Sequence, residues 1–195
     1  MQTPGHIILN LGILGHRHRP KWTSPIMLGA FVPDAAMFWF YIWTRIIQGR
    51  PDSEIWGTLY FLPHWQNIFD LFNSIPLALI GLSLALYYKR SAIAAFCAST
   101  ILHCLQDLPL HHDDGHRHFW PFSEFRFESP VSYWDPQHYG VWGAGLETVL
   151  VLVASYFIFR RTRSQWGKSI LILMNILYLL LYFGYLWASG NIPNP

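Results

Sequence analysis

Between Ser99 and Pro121 the chain reads STILHCLQDLPLHHDDGHRHFWP, and here side chains able to hold a metal ion or move a proton are concentrated. His103 and Asp107 are four residues apart, so on a helix they share one face, one turn apart. Pro109 predicts the end of that helix, because proline brings no amide donor and restricts the residue before it. Just beyond it come His111, His112, Asp113, Asp114, His116 and His118. Neutral imidazole nitrogens and carboxylate oxygens are common donors to zinc, and a catalytic zinc keeps one position open. Water on such a metal is a usable nucleophile near neutral pH. A helix end delivering imidazole and carboxylate into this loop supplies half of a metal site.

The elements that must position these groups are apolar. Of the 195 residues, 52% are hydrophobic, 17% aromatic and 12% charged, against about 25% charged in an ordinary soluble domain. Long apolar runs make this an all-α, polytopic membrane helix bundle, one integral membrane domain over residues 1–195. A net charge of +2 gives no case for nucleic acid; the lipid bilayer is the expected partner. Cys97 and Cys104 fall on one expected helix, roughly 10 Å apart along its axis, too far to form a disulfide. With no other cysteine there is also no thiolate zinc cluster. No basic region precedes the short N-terminal apolar run and no small-residue cleavage site follows it, so it does not read as a cleaved signal peptide.

Residues Gly5–Leu14 are too few to span a bilayer, which takes about 20 residues. They predict a short membrane-associated helix, re-entrant or interfacial, with His6 at its start. Five spans are expected: Ser24–Ile47 with Pro33-Asp34 inside it, Asn67–Tyr88, Ser91–Asp107, His138–Phe159 with Glu147 near its middle, and Ser169–Ala188. The loop at 108–137 is rich in histidine and aromatic residues and suits an interfacial lid. Under alternating crossings nine lysines and arginines, in Arg17–Lys21, Lys89-Arg90 and Arg160–Lys168, fall on one side, and four on the other. The basic side should be cytoplasmic, which puts the histidine loop in the periplasm if this is a bacterial inner membrane.

Each polar group also has a plainer reading. The loop histidines can be a solvated segment that titrates near neutrality, and His103–Asp107 can be a structural bond inside the bundle. Asp70 can cap its helix, and Glu147 can pair with Asn73 or a backbone group. His16 and His18 read as part of a basic linker, the aromatic belt as lipid contact, and the cysteines as packing. Asp34 stands out, because an intramembrane carboxylate is costly and usually faces a bundle interior or a wet cavity.

Three elements together resemble the YdjM-like family, whose members are labelled LexA-regulated, membrane-bound, metal-dependent hydrolases. They are His6 in a short apolar segment, Gly29–Asp34 ending in Pro-Asp, and His103-x-x-x-Asp107 followed by Trp120-Pro121-Phe122-Ser123. The stretch Leu108–Gly140 is similar, more narrowly, to a subgroup of uncharacterised bacterial integral membrane proteins. The resemblance implies a divalent metal, zinc first with manganese or iron as alternatives, on His6, Asp34, His103 and Asp107. The family's His-Arg…Thr-His-Ser element is replaced here by His64-Trp65 and Phe72-Asn73-Ser74, with Asn73 in place of its second histidine. His111 is then the expected further ligand, with Asp113 or His112 as general base for a metal-bound water. The implied activity is hydrolysis of a lipid or amphiphilic ester or phosphoester at the outer membrane interface. The competing expectation is a non-catalytic protein that handles metal or protons, such as a permease component, or a structural membrane subunit.

Overall fold

The computed structural model describes residues 1–190; the expected loose tail at 191–195 lies outside them. The chain is all-helical, with α1 (Thr3–Leu14), α2 (Thr23–Tyr41), α3 (Asp52–Gly57), α4 (Pro63–Phe72), α5 (Ile75–Tyr87), α6 (Ser91–Asp107), α7 (Gly140–Arg161) and α8 (Gln165–Gly190). A wider π-type turn continues α2 over Ile42–Ile47. No strand occurs among the described residues. Four segments are long and apolar enough to cross a membrane: Pro20–Ile47, Pro63–Tyr87, Gly140–Arg161 and Gln165–Gly190. Helix α6 has the bounds expected for the third span; its 17 residues reach about 26 Å at 1.5 Å per residue.

Helix α1 is built into the bundle, not laid on its surface, and packs against α2, α6 and α7. The reason lies in its small and polar residues. A Cβ on Gly5 would stand 2.6 Å from the Tyr178 hydroxyl and one on Gly12 would stand 3.1 Å from the Ala154 Cβ, so both glycines permit close approach. His6 and Asn10, fully buried, find partners on α6. Pro4 sits in the first turn, where the missing amide costs nothing. At the other end Arg161 donates to the carbonyls of Gly15 (2.7 Å) and Gly12 (3.0 Å), acceptors that the helix end leaves without donors.

Helices α2 and α6 cross closely at Gly29, where a Cβ would come within 2.2 Å of the Phe96 carbonyl oxygen. Small residues at a crossing let backbones approach and let short polar side chains bond across it. Three residues of α6 do so: Ser99 Oγ donates to Ile26 O (2.7 Å), Thr100 Oγ1 to Gly29 O (3.2 Å) and His103 Nδ1 to Ala30 O (2.8 Å). Pro33 explains the second bond. Lacking an N–H, it leaves Gly29 O without its i+4 donor, and Thr100 supplies one.

The expected second span is interrupted: α4 ends at Phe72 and α5 begins at Ile75. Ser74 caps α5 by accepting from Leu77 N at 3.2 Å, and Pro76 occupies the first turn. Asn73 Nδ2 donates to Phe69 O (3.0 Å) and Pro33 O (3.3 Å). The loop from 108 folds onto this break. Ile75 N donates to His118 O (2.9 Å), Ser74 Oγ to Trp120 O (2.5 Å), and His118 Nδ1 to Asn73 O (3.1 Å), which also accepts from Cys104 Sγ of α6 (3.2 Å). The loop is therefore a folded cap over one end of the bundle, with Phe122, Phe125 and Trp134 exposed on its outside.

Candidate metal centre

The C-terminal end of α6 carries His103 and Asp107 towards the N-terminal end of α1, which brings His6. Donor atoms of these three residues all lie within 4.8 Å of one another, all three side chains are buried, and the group could hold a metal ion. His6 Nε2 is 3.0 Å from Asp107 Oδ1, and His103 Nε2 is 3.0 Å from Asp107 Oδ2. The two imidazoles stack with ring centroids 3.6 Å apart.

Tautomers follow from the partners on the far side of each ring. Ala30 O only accepts, so His103 Nδ1 carries the hydrogen and Nε2 the lone pair. For His6 the polarity is set three residues away. Asn10 Nδ2 donates to the Ser99 carbonyl and hydroxyl oxygens at 2.8 Å each, so Asn10 Oδ1 faces Gln106 and accepts from its Nε2 at 3.0 Å. Gln106 Oε1 is then the atom turned to His6 Nδ1, at 2.9 Å, and Nδ1 must donate. Both Nε2 atoms are buried, and with the hydrogens on Nδ1 neither makes a hydrogen bond, although each lies 3.0 Å from an Asp107 oxygen. Each points a lone pair towards a carboxylate, which repels it unless a cation lies between. A proton on one ring would bond that Nε2 to Asp107 and leave the other lone pair facing the carboxylate, and protonating both would stack two like charges face to face. One cation shared by the two Nε2 atoms and Asp107 removes both conflicts, so the residues present fit a divalent metal.

Two further expected ligands stand at the rim of this group. Asp34 Oδ2 accepts from Thr3 Oγ1 at 2.5 Å, and Oδ1 lies 3.6 Å from His103 Nε2. His111 Nε2 lies 3.3 Å from Asp107 Oδ1, with the Met1 amino nitrogen 3.0 Å from His111 Nε2 and 2.9 Å from Asp107 Oδ1. His111 Nδ1 is 3.1 Å from Asp114 Oδ1. Burial and the adjacent Met1 ammonium disfavour the His111 imidazolium, but Asp107 and Asp114 outweigh them and its pKa stands above the usual value. Burial also works against the charged Asp114, yet His111 holds its carboxyl below the usual carboxylate range.

The expected general bases are not brought to the group. His112 Nδ1 bonds Ser129 O at 2.7 Å and its ring stacks on His138 at 3.7 Å, while Asp113 is exposed. The loop turns at this point, so neighbours of His111 in sequence face away from it. Asp114, one residue further, is the loop carboxylate that does face in.

Other expectations are also corrected. Asp70 is not a helix cap; it lies near the end of α4, fully buried, accepting from Arg117 N (3.0 Å) and Arg117 Nε (2.5 Å). Arg117 also pairs with Glu124, and His116 Nδ1 lies 3.7 Å from Asp70 Oδ1. Asn73 serves the α4–α5 break; Glu147 does not meet Asn73 but does accept from a backbone group, Gln2 N, as well as from the Tyr178 hydroxyl. His64 is exposed. His118, buried and bonded to Asn73 O at 3.1 Å, is pushed down to about 4 by burial, with His116 adding to the effect. Gln106, Asn10 and Thr3 were not singled out by sequence. The spacing His6–Asn10, one turn on a helix, was the available signal. Comparison of the chain with protein-family models, curated proteins and solved structures gives no match.

Proposed function

We propose that this is a membrane-bound, metal-dependent hydrolase acting on an ester or phosphoester of an amphiphile. The observation that carries the reading is the buried group of His6, His103 and Asp107, in which both imidazole Nε2 atoms converge on one carboxylate at 3.0 Å. His6, His103 and Asp107 would hold a divalent ion, zinc first by this donor set, which when bound polarises a substrate oxygen and renders coordinated water acidic. Gln106 and Ala30 O keep the two rings in the ligating tautomer, as acceptors behind metal-bound histidines commonly do. Asp34, in place of the expected Asp113 or His112, would accept the proton. Its side chain is 12% exposed where the histidines are at 0%, and Thr3 holds Oδ2 and leaves Oδ1 towards the group.

A groove of about 700 Å³ supports the amphiphile as substrate class. It is lined by α1, the start of α2, α7 and α8 and extends from Arg161 and Arg163 to Pro4, next to the Thr3 that bonds Asp34; the ligating residues themselves do not line it. Its walls of Ile7, Leu11, Leu171 and Met174 are apolar. With the basic loops cytoplasmic, the metal group lies at the periplasmic end of an inner-membrane bundle.

Elemental analysis of the detergent-purified protein tests this reading, followed by a screen of lipid esters and phosphoesters in mixed micelles. The expected result is about one zinc per chain, lost in His103→Ala and Asp107→Asn, together with hydrolysis that a chelator stops. Protein that binds no metal after reconstitution sinks the reading. The complete burial of His6 and His103 favours a second one, a metal-holding protein without turnover. Stoichiometric metal with no hydrolysis across the screen would establish that instead.

A further inference from the structure

A second cavity, of about 230 Å³, opens between α7, α8 and the cap, and its composition is unlike that of the metal group. Tyr133, Trp134, Tyr178, Tyr182 and Tyr185 line it together with one acidic residue, Glu147. Glu147 is 2% exposed, and its Oε1 accepts from the Tyr178 hydroxyl at 2.9 Å and from Gln2 N at 3.0 Å. Both donors are neutral. Among the described residues no lysine, arginine or histidine forms an ion pair with this carboxylate; the Met1 amino group acts on it, but its bonds go to Asp107 and His111. A carboxylate in a membrane helix is costly and is normally matched by a partner.

The tyrosine hydroxyls are partly committed elsewhere: Tyr178 to Glu147, and Tyr185 to Trp134 O at 2.8 Å. What the cavity offers a ligand is therefore aromatic ring surface around one negative charge. Ring faces attract cations, and clusters of aromatic rings recognise quaternary ammonium groups in particular. A divalent metal is a poor match, since hard cations need six or more oxygen ligands or several bound waters. The cavity is also open beside Leu181, which is 54% exposed on the lipid-facing side of α8.

We infer that this cavity binds a small organic ammonium ion, held among the aromatic rings with Glu147 as its counter-charge. The ammonium belongs either to a free solute or to a lipid headgroup entering beside Leu181. This site is independent of the metal, although Met1 and Gln2 connect the two regions.

The test uses the full chain in nanodiscs of phosphatidylglycerol, a lipid without an ammonium group, stripped of metal by chelator. Calorimetry compares choline with 3,3-dimethylbutan-1-ol, its neutral carbon isostere, and native mass spectrometry compares retention of phosphatidylcholine and phosphatidylglycerol. Saturable choline binding without isostere binding identifies a free cation as ligand. Selective retention of phosphatidylcholine alone identifies a headgroup. In either case Glu147→Gln, which keeps an acceptor for Tyr178, should lower affinity on the order of tenfold. Tyr182→Leu should do so as well and serves if the first variant fails to fold. The inference is overturned if choline and its isostere bind alike, if neither choline nor phosphatidylcholine is preferred, or if both folded variants bind as wild type. Because the protein is metal-free throughout, failure here leaves the hydrolase reading untouched, and failure of that reading leaves this one standing.

Discussion

Gln106 touches no proposed metal ligand atom, yet replacing it should weaken metal binding. Its Oε1 fixes the hydrogen of His6 on Nδ1, and its Nε2 satisfies Asn10 Oδ1. In Gln106→Leu both partners lose their bond, and each unmet buried polar group costs about 1–3 kcal/mol. His6 is then free to rotate or to place its hydrogen on Nε2, where it blocks ligation. Loss of such a supporting acceptor lowers metal affinity about 10–100-fold, or about 1.4–2.7 kcal/mol. Gln106→Glu separates orientation from stability. It restores an acceptor for His6 Nδ1 but cannot donate to Asn10 Oδ1, so affinity should recover while the metal-free protein remains destabilised. The assay is a zinc titration against a chromogenic chelator in detergent, with the melting temperature of the metal-free protein recorded for each variant. Unchanged zinc affinity in Gln106→Leu, or Glu no better than Leu, would refute the argument that this network sets the tautomer.

The Thr100–Gly29 bond should depend on Pro33. Thr100→Val should cost about 1 kcal/mol in wild type but much less in a Pro33→Ala background, where residue 33 regains the amide that Gly29 O lacks; additive costs in denaturant unfolding would contradict this. For His118 the sign runs towards neutral pH. Its folded-state pKa is depressed to about 4 by burial, below about 6.5 in an unfolded chain, so the unfolded state binds the extra proton in that interval. The stabilising contribution is complete above about pH 6.5 and falls by up to about 1.4 kcal/mol per pH unit as pH drops towards 4. Exchange protection of the Ile75 amide, which donates to His118 O, should decline over that range after correction for intrinsic rates. It should be flatter in His118→Gln; equal slopes would show that another group drives the opening.

The parts of this structure that were legible in the sequence are those set by local periodicity. The bounds of α6 follow from an apolar run that begins after Lys89-Arg90 and stops before Pro109, and the spacing of His103 and Asp107 already puts them on one face. The place of Asp34 was readable because a carboxylate in an apolar run needs a reason. The burial of α1 was not. Its length left a re-entrant and an interfacial helix equally open, and what draws it inward is the match of His6 and Asn10 to Gln106 and Ser99, about a hundred residues away. That match depends on the register of α1 against α6, which no local pattern encodes. The loop failed for a related reason. His111, His112, Asp113 and Asp114 are equivalent as chemistry, and only the backbone path decides that His111 and Asp114 face in while Asp113 faces water. Likewise, the break before α5 was marked by Pro76, but a proline inside an apolar run says nothing about which distant loop will complete the exposed backbone.

Pro33 and Asp34 gain from being read as one device. Proline removes the amide that would have served Gly29 O and crowds the preceding turn, which opens the backbone of α2 on the side facing α6. Gly29 allows α6 to approach that opening, and Thr100 and His103 occupy it by donating to Gly29 O and Ala30 O. The second of these bonds fixes the His103 tautomer. One turn beyond Ala30 the same helix delivers the Asp34 carboxylate to within 3.6 Å of His103 Nε2. A backbone defect that would only weaken an isolated helix thus binds α2 to α6 here through the Thr100–Gly29 bond, one residue before the Ala30 carbonyl that sets the His103 tautomer. An alanine at position 33 should therefore act first on the Thr100 bond and reach His103 only through the α2–α6 crossing, a coupling that zinc affinity in Pro33→Ala would expose.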